Sequence, residues 1–311
     1  MDDRQLCWVL TGPTASGKTA LSIRLAKAHQ CEIICMDSMQ IYRGMDIGTA
    51  KPTRLEMDGV PHHMLNVAEP DQPFSVAQYQ QMAEEAARGI LQRGHRPLFV
   101  GGTGLYLRAL RHPMAMGAVA GDEALRERLQ AEADAPGGRE QLHQRLMQVD
   151  PATAKRLPVN DVRRVVRALE VYALTGRPFS RQPQEDAQPP FRYRVASLTM
   201  DRATLYDRIE RRVDAMLAGG LVEEVRGLLD SGVPAGAQAM KGLGYKELIP
   251  YLQGERTLEE AVYELKKGTR HYAKRQLTWM RREEDVLWAD SLAPDVYDTL
   301  ERWFTQGEEG T

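Results

Sequence analysis

The run Gly12-Pro13-Thr14-Ala15-Ser16-Gly17-Lys18-Thr19 has the residue types and spacing of a phosphate cradle. Glycines at its two ends let backbone N–H groups converge on phosphate oxygens at a helix N-terminus. Lys18 offers positive charge to the bridging and terminal oxygens, and the Thr19 hydroxyl is the expected Mg2+ ligand. The residues before the motif (LCWVL, 6–10) form a short apolar run, and those after it (18–29) place Leu21, Leu25 and Ala28 at helical spacing. A strand leading in and a helix leading out is the context such a motif needs. A chance match in a chain of this length is on the order of one per cent.

The acid that should accompany the cradle is displaced. A third apolar run (PLFV, 97–100) ends in Gly101-Gly102-Thr103-Gly104, where an ATPase would carry a Mg2+-holding carboxylate. The nearest acid is Asp37, closing a second run (EIICM, 32–36). Ligands bind at the carboxyl ends of strands in open parallel sheets, so Asp37 and Thr103 are expected to face the phosphate site. A helix cap or turn is the other use for each. His62 and His63 with Cys31 and Cys35 are not read as a zinc site, because the two cysteines fit one strand face as small hydrophobes.

Charge points to a polyanion. The 311-residue chain totals −2, but residues 283–311 set nine acids against Arg302 alone, which leaves +6 on residues 1–282. Residues 262–282 carry seven bases (Lys266, Lys267, Arg270, Lys274, Arg275, Arg281, Arg282) against Glu264. Such asymmetry is the footprint of nucleic-acid or phosphate binding. Apolar residues at 42% and charged residues at 27% exclude a chain disordered throughout. No window approaches the ~18 apolar residues of a membrane span, and the acidic start shows no secretory signal. Three cysteines make no disulfide framework, so a reducing cytoplasm is expected.

The elements that must position these groups alternate strand and helix up to about residue 112, with a short MLNV strand at 64–67 and a helix over 75–93. This implies an α/β fold: a P-loop parallel sheet flanked by helices. Residues 122–174 read as short helices broken at Pro136-Gly137-Gly138 and Pro158, followed by a Pro-, Gln- and Arg-rich loop (177–190). RVASLTM (194–200) returns to strand. Helices are then expected over 202–218, 221–230, 243–252 and 257–282. The organisation is therefore a core of residues 1–112 and 191–311 with a helical C-terminal region, and an inserted helical domain at 113–190.

GPTASGKT (12–19), DSMQIYRGMDIGTAKP (37–52), GVPHH (59–63), VGGTGLY (100–106), RRVVRALEVY (163–172), LTMDRATLYDRIERRVDAML (198–217), GLGYKEL (242–248) and YAKRQLTWMR (272–281) together resemble the tRNA dimethylallyltransferase family. With no cysteine after Cys35, and so no C-terminal zinc finger, the chain resembles the shorter bacterial form. The resemblance implies transfer of a dimethylallyl group from dimethylallyl diphosphate to N6 of the adenosine just 3′ of the anticodon in tRNA. Asp37 would take the N6 proton, Thr103 would line the channel between the substrates, and Lys18 and the other P-loop residues would hold the diphosphate. Arg208 and Arg212, one helical turn apart, would meet the diphosphate or tRNA from one face, with Arg211 pointing elsewhere. The base must be flipped out of the anticodon loop, and Asp37, Ser38, Met39, Gln40 and Thr103 match the stretches that receive it. Further tRNA contacts are implied for Arg163, Arg164, Val165, Val166 and Arg167, and for Lys241, Gly242, Leu243, Gly244, Tyr245 and Lys246. The same holds for Lys274, Arg275, Gln276, Leu277, Thr278, Trp279, Met280 and Arg281, with Arg126 a weaker case. The expected partners are tRNA and dimethylallyl diphosphate, with Mg2+ as cofactor, no membrane, and a monomeric enzyme. A small-molecule P-loop kinase, with Asp37 activating a hydroxyl, is the alternative. An RNA-binding ATP-gated module would need the missing acid.

Overall fold

The computed structural model describes residues 3–112, 121–181 and 188–306. They form two compact units, 1–112 with 189–311, and 113–188.

In the larger unit, a six-stranded all-parallel sheet comprises β1 (Leu6–Thr11), β2 (Cys31–Cys35), β3 (His62–His63), β4 (Arg96–Val100), β5 (Arg192–Thr199) and β6 (Val286–Asp290), in the order β3-β2-β4-β1-β5-β6. The central strands are apolar on both faces, as a sheet covered on both sides requires. Along β1, Cys7 and Val9 enter one apolar cluster with Tyr79, Ala83 and Leu107. Trp8 and Leu10 enter the other with Ile23, Leu25, Leu300 and Phe304. The helices supplying those layers are α1 (Lys18–Ala28), α3 (Val76–Gln92), α4 (Gly104–Arg111) and α13 (Val296–Thr305). A short α2 (Arg54–Met57) lies in the connection from β2 to β3. After β5 come α9 (Arg202–Ala218), α10 (Leu221–Asp230), α11 (Tyr245–Leu252) and α12 (Leu258–Met280). Asp201 and Thr257 cap the first and last of these through their side chains, Thr257 in a capping box with Glu260.

Two expectations are corrected. Residues 64–67 are not a strand, because Met64 and Asn66 take left-handed backbone (φ 63° and 55°) that no ladder accommodates. Strand structure falls instead on His62–His63. No element is expected after residue 282, yet the acidic end supplies β6, paired along β5 from Val195↔Val286 to Thr199↔Asp290, and α13. Tyr297, Leu300 and Phe304 turn inward from α13, and Phe304 stacks on Trp8 with ring centroids 4.9 Å apart. Of its described acids, Glu284, Asp285, Asp290, Asp295 and Asp298 are exposed, Glu301 bonds His29 and Tyr297, and Glu283 is tucked against Arg111 in an ion pair of 2.9 Å.

The smaller unit is helical: α5 (Glu123–Asp134), α6 (Gly138–Val149), α7 (Pro151–Arg156) and α8 (Val162–Thr175). They close over Leu129, Leu142, Leu146, Val165, Val166 and Leu169. Part of the Pro-rich loop, 182–187, and the start of the insertion, 113–120, lie outside the described residues.

Candidate active site

The carboxyl ends of β1, β2 and β4 open into a cleft of about 940 Å³ lined by the cradle, by Asp37–Gln40, by Gly101 and Gly102, and by side chains of α9 and α12. The cradle is the turn between β1 and α1. Ala15 holds φ 64°, a conformation uncommon outside glycine that recurs where backbone is shaped for a ligand. The Ser16 Oγ is buried there with no hydrogen-bond partner, a donor aimed at nothing the protein supplies.

Lys18 Nζ donates to the carbonyls of Gly12 (2.9 Å) and Pro13 (2.6 Å). Burial, then the neighbouring Arg212 cation, draw its ammonium down to about 7, with Asp37 opposing. Arg212 is itself lowered by burial, again with Asp37 opposing. Arg208 Nε donates to Ala15 O at 2.9 Å and so braces the cradle from α9. Both arginines line the cleft, as their spacing predicts. Arg211 also reaches its rim, paired with Asp207 and largely exposed.

Beyond the end of β2, Asp37 Oδ1 accepts from the N–H of Met39 at 2.8 Å and, more weakly, of Gln40 at 3.4 Å. Thr103 Oγ1 accepts from Ser38 N–H at 3.0 Å, tying the ends of β2 and β4 together. No acid ends β4: the backbone passes from Val100 through Gly101 and Gly102 to Thr103.

Two residues of α12 complete the assembly. Gln276 is buried, accepts from Thr14 N–H (2.9 Å) and donates to Gly102 O (2.9 Å), so it joins the cradle to the β4 turn. A Cβ on Gly102 would lie 2.0 Å from Gln276 Nε2, which is why glycine stands there. Tyr272 sits beside the Thr103 and Gln276 side chains, its phenol raised by burial first and by Asp37 second. Tyr272 is not among the residues expected from the sequence, and Gln276, expected to contact tRNA, has its side chain bonded to the cradle and the β4 turn. Their spacing with Thr269, Ala273 and Met280 marks the inward face of α12 and was the available signal.

Several of the residues expected to contact RNA have buried side chains. Tyr245 is fully buried and donates its hydroxyl to Glu224 at 2.6 Å, so it has no free face for stacking. Gly242 and Gly244 are buried beside it, though with Leu243 they form part of the cleft wall. Val165 and Val166 belong to the core of the small unit, and Met280 accepts from Thr11 in the core of the large one. Gln276 is interior, and Leu277 packs with Ala15, Leu205 and Ile209 beneath the cradle. Leu243 packs partly into the main core, and the Trp279 ring covers Gly104. In the small unit, Arg126 and Arg167 neutralise the fully buried Glu170 at 2.9 and 2.8 Å. Their guanidinium groups thus serve that core. Exposed positions remain: Arg163, Arg164 (paired with Asp161), Lys241, Lys246, Lys274, Arg275, Thr278 and Arg281. Lys241, Lys246 and Arg275 also line the cleft. Ser38, Met39 and Gln40 line it too, half-buried, though the Gln40 amide is bonded to the carbonyls of Thr49 and Ala50. Cys31 and Cys35 are buried thiols outside any disulfide that enter different apolar clusters rather than sharing one.

Comparison with known proteins places this geometry. A family model described as IPP transferase matches residues 40–283, and one described as isopentenyl transferase matches 6–69. The tRNA dimethylallyltransferase of Desulforudis audaxviator is 53% identical over 91% of each chain. That of Pelotomaculum thermopropionicum is 50% identical over 90% of this chain and 89% of its own. Among solved structures, the full-length tRNA isopentenylpyrophosphate transferase of Bacillus halodurans superposes with a TM-score of 0.71 at 42% identity over 97% of both chains. A eukaryotic dimethylallyltransferase acting on tRNA gives 0.79 at 28% identity over 95% of this chain and 76% of its own.

Proposed function

We propose, for a chain that belongs to the IPP transferase family, that the cleft brings dimethylallyl diphosphate and the anticodon stem-loop of tRNA together. The chain prenylates tRNA. In the proposed reaction the diphosphate lies in the 12–19 cradle, and the acceptor is N6 of the adenosine 3′ of the anticodon. The observation that carries this is the grouping of Asp37 with Lys18 and Arg212 at one rim, where the end of β4 holds glycines instead of a hydrolytic acid. The kinase alternative has no support among the relatives.

The adenine N6 lone pair is delocalised into the ring and is a poor nucleophile. As the N6–C1 bond forms and the C1–O bond to diphosphate breaks, Asp37 accepts the N6 proton. Lys18, Arg212 and the cradle amides meet the charge gathering on the departing pyrophosphate. The pyrophosphate also supplies an acceptor for the unpartnered Ser16 hydroxyl. Mg2+ fits the oxygen donors here, since it keeps waters and shares substrate phosphates rather than needing an all-protein cage. Thr19, exposed at the mouth of the cleft, would hold it, and its charge would offset that of the leaving group. Among the described residues no cluster of three His, Cys, Asp or Glu forms a metal site.

Exposed Lys274, Arg275 and Arg281, and Arg163 and Arg164 of the small unit, are proposed to meet RNA phosphates. The enzyme is proposed to work as a monomer in the cytoplasm; no described helix is long and apolar enough to cross a membrane. The test is incubation with radiolabelled dimethylallyl diphosphate and unmodified tRNA, followed by nucleoside analysis. Label on an adenosine other than the one 3′ of the anticodon, or robust ATP hydrolysis without tRNA, refutes the assignment.

A further inference from the structure

We infer that Glu224 is the positioning residue of the acceptor side: its carboxylate fixes the loop that follows Asp37, and with it the place where the tRNA base is received. This rests on the reading of the cleft given above.

Glu224 stands in the first turn of α10 and does not line the cleft. Its carboxylate accepts from three successive backbone N–H groups, Asp46 (2.9 Å), Ile47 (2.7 Å) and Gly48 (3.0 Å), and from the Tyr245 hydroxyl (2.6 Å). Consecutive N–H groups that converge form a concavity suited to an anion, and bonds to an ionised acceptor are the strong kind. Here the anion comes from another element, so the loop is held from outside.

The rest of the loop transmits that grip. Gln40 Nε2 donates to the carbonyls of Thr49 and Ala50, both at 3.1 Å. Lys51 Nζ, buried, bonds Tyr42 O, Asp46 Oδ1 and Asn66 Oδ1. Asp37 Oδ1 is tied to the amides of Met39 and Gln40. Bonded contacts thus run from Glu224 through residues 46–50 and Gln40 to the Asp37 carboxylate, and Ser38–Gln40 and Gly48–Ala50 are cleft wall. Gly48 shows how close the seat is: a Cβ there would lie 2.6 Å from the Tyr245 ring.

Glu224→Ala empties the concavity, and formate, a small carboxylate, can enter it. Single-turnover transfer from dimethylallyl diphosphate to tRNA should fall roughly tenfold or more, since displacement on the order of 1 Å at a reacting centre is that costly. The Kd for dimethylallyl diphosphate, measured separately, should stay within about threefold, because the cradle makes no contact with this loop's clamp. Formate at constant ionic strength should restore the rate several-fold, and chloride should not. Gly48→Ala, whose Cβ would press on the Tyr245 ring with Glu224 in place, should show the same split of rate from donor affinity and no response to formate. A Glu224→Ala rate within about threefold of wild type, or a folded variant whose lost rate formate does not move, overturns the inference. If Glu224→Ala does not fold, Glu224→Gln decides: it keeps the shape but turns an amide N–H toward donors, and full activity there overturns the inference as well. A wild type that transfers nothing to tRNA refutes the reading of the cleft itself, which is a different failure.

Discussion

Replacing Lys18 with methionine should stabilise the ligand-free protein at pH 7, and the advantage should shrink as the pH rises. The ammonium of Lys18 is drawn from 10.5 down to about 7 by burial and by Arg212. Between those two values the unfolded chain binds a proton that the folded chain does not, so wild-type stability rises with pH. The slope is about 1.4 kcal/mol per pH unit. From pH 7 to pH 9 the wild type therefore gains about 2 kcal/mol on Lys18→Met, which has no such proton. At roughly 2 °C per kcal/mol for a chain of this size, the difference in Tm moves by about 4 °C in favour of the wild type. Lost hydrogen bonds to Gly12 and Pro13 offset the variant's gain by about 1 kcal/mol each, but that offset does not depend on pH and leaves the slope intact. The assay is calorimetric melting of both proteins at pH 7, 8 and 9 without ligand, then with pyrophosphate. Pyrophosphate should stabilise the wild type more than the variant, since an anion in the cradle restores the charge on Lys18. A Tm difference constant within about 1 °C from pH 7 to 9 refutes the reasoning.

Asp37→Asn keeps size and one acceptor oxygen but cannot take a proton, so single-turnover transfer should fall by about 10²-fold or more while donor and tRNA binding change little; a rate near wild type rules out the base. Affinity for tRNA should fall steeply with salt, and Lys274→Ala should shallow the log–log slope by about one, without changing the Kd for dimethylallyl diphosphate; a salt-independent affinity would mean that these bases are only solvated. Gly102→Ala, whose Cβ would meet Gln276 Nε2 at 2.0 Å, should weaken donor binding by disturbing Thr14; unchanged donor affinity would separate Gln276 from the cradle.

What was legible in the sequence was what short-range pattern controls. The cradle, the strand-to-helix alternation and the boundaries of 202–218 and 221–230 follow from motif spacing, caps and periodicity, and the structure has them. The grouping of Asp37 with Lys18 followed from the rule for strand ends. Illegible were side chains whose use depends on a partner distant in sequence. Tyr245 and Gln276 look like RNA-contacting residues inside basic stretches, yet their partners, Glu224, Thr14 and Gly102, lie 21, 262 and 174 residues away. The strand β6 was hidden because five residues beside three consecutive acids carry too little pattern to outvote the charge. Met64 and Asn66 hid the opposite way, apolar pattern over a backbone that cannot pair.

The helix α12 explains why a basic stretch and a cradle occur in one chain. Its inner face carries Gln276 and Tyr272 against Thr14, Gly102 and Thr103. One turn away, its outer face exposes Lys274, Arg275, Thr278 and Arg281. A phosphate backbone engaging the outer face therefore acts on the same rigid element that seats the cradle, with no mobile segment between them. In a nucleotide-hydrolysing site the corresponding need is an acid on the strand beside the cradle, to hold a metal and order water. Here that position is glycine, because Gln276 must reach the backbone at Gly102. The space an acid would take is given to the tie between helix and cradle. Asp37, just past the end of the next strand, lines the same cleft, and this leaves it available for the proposed transfer to a nucleic-acid base.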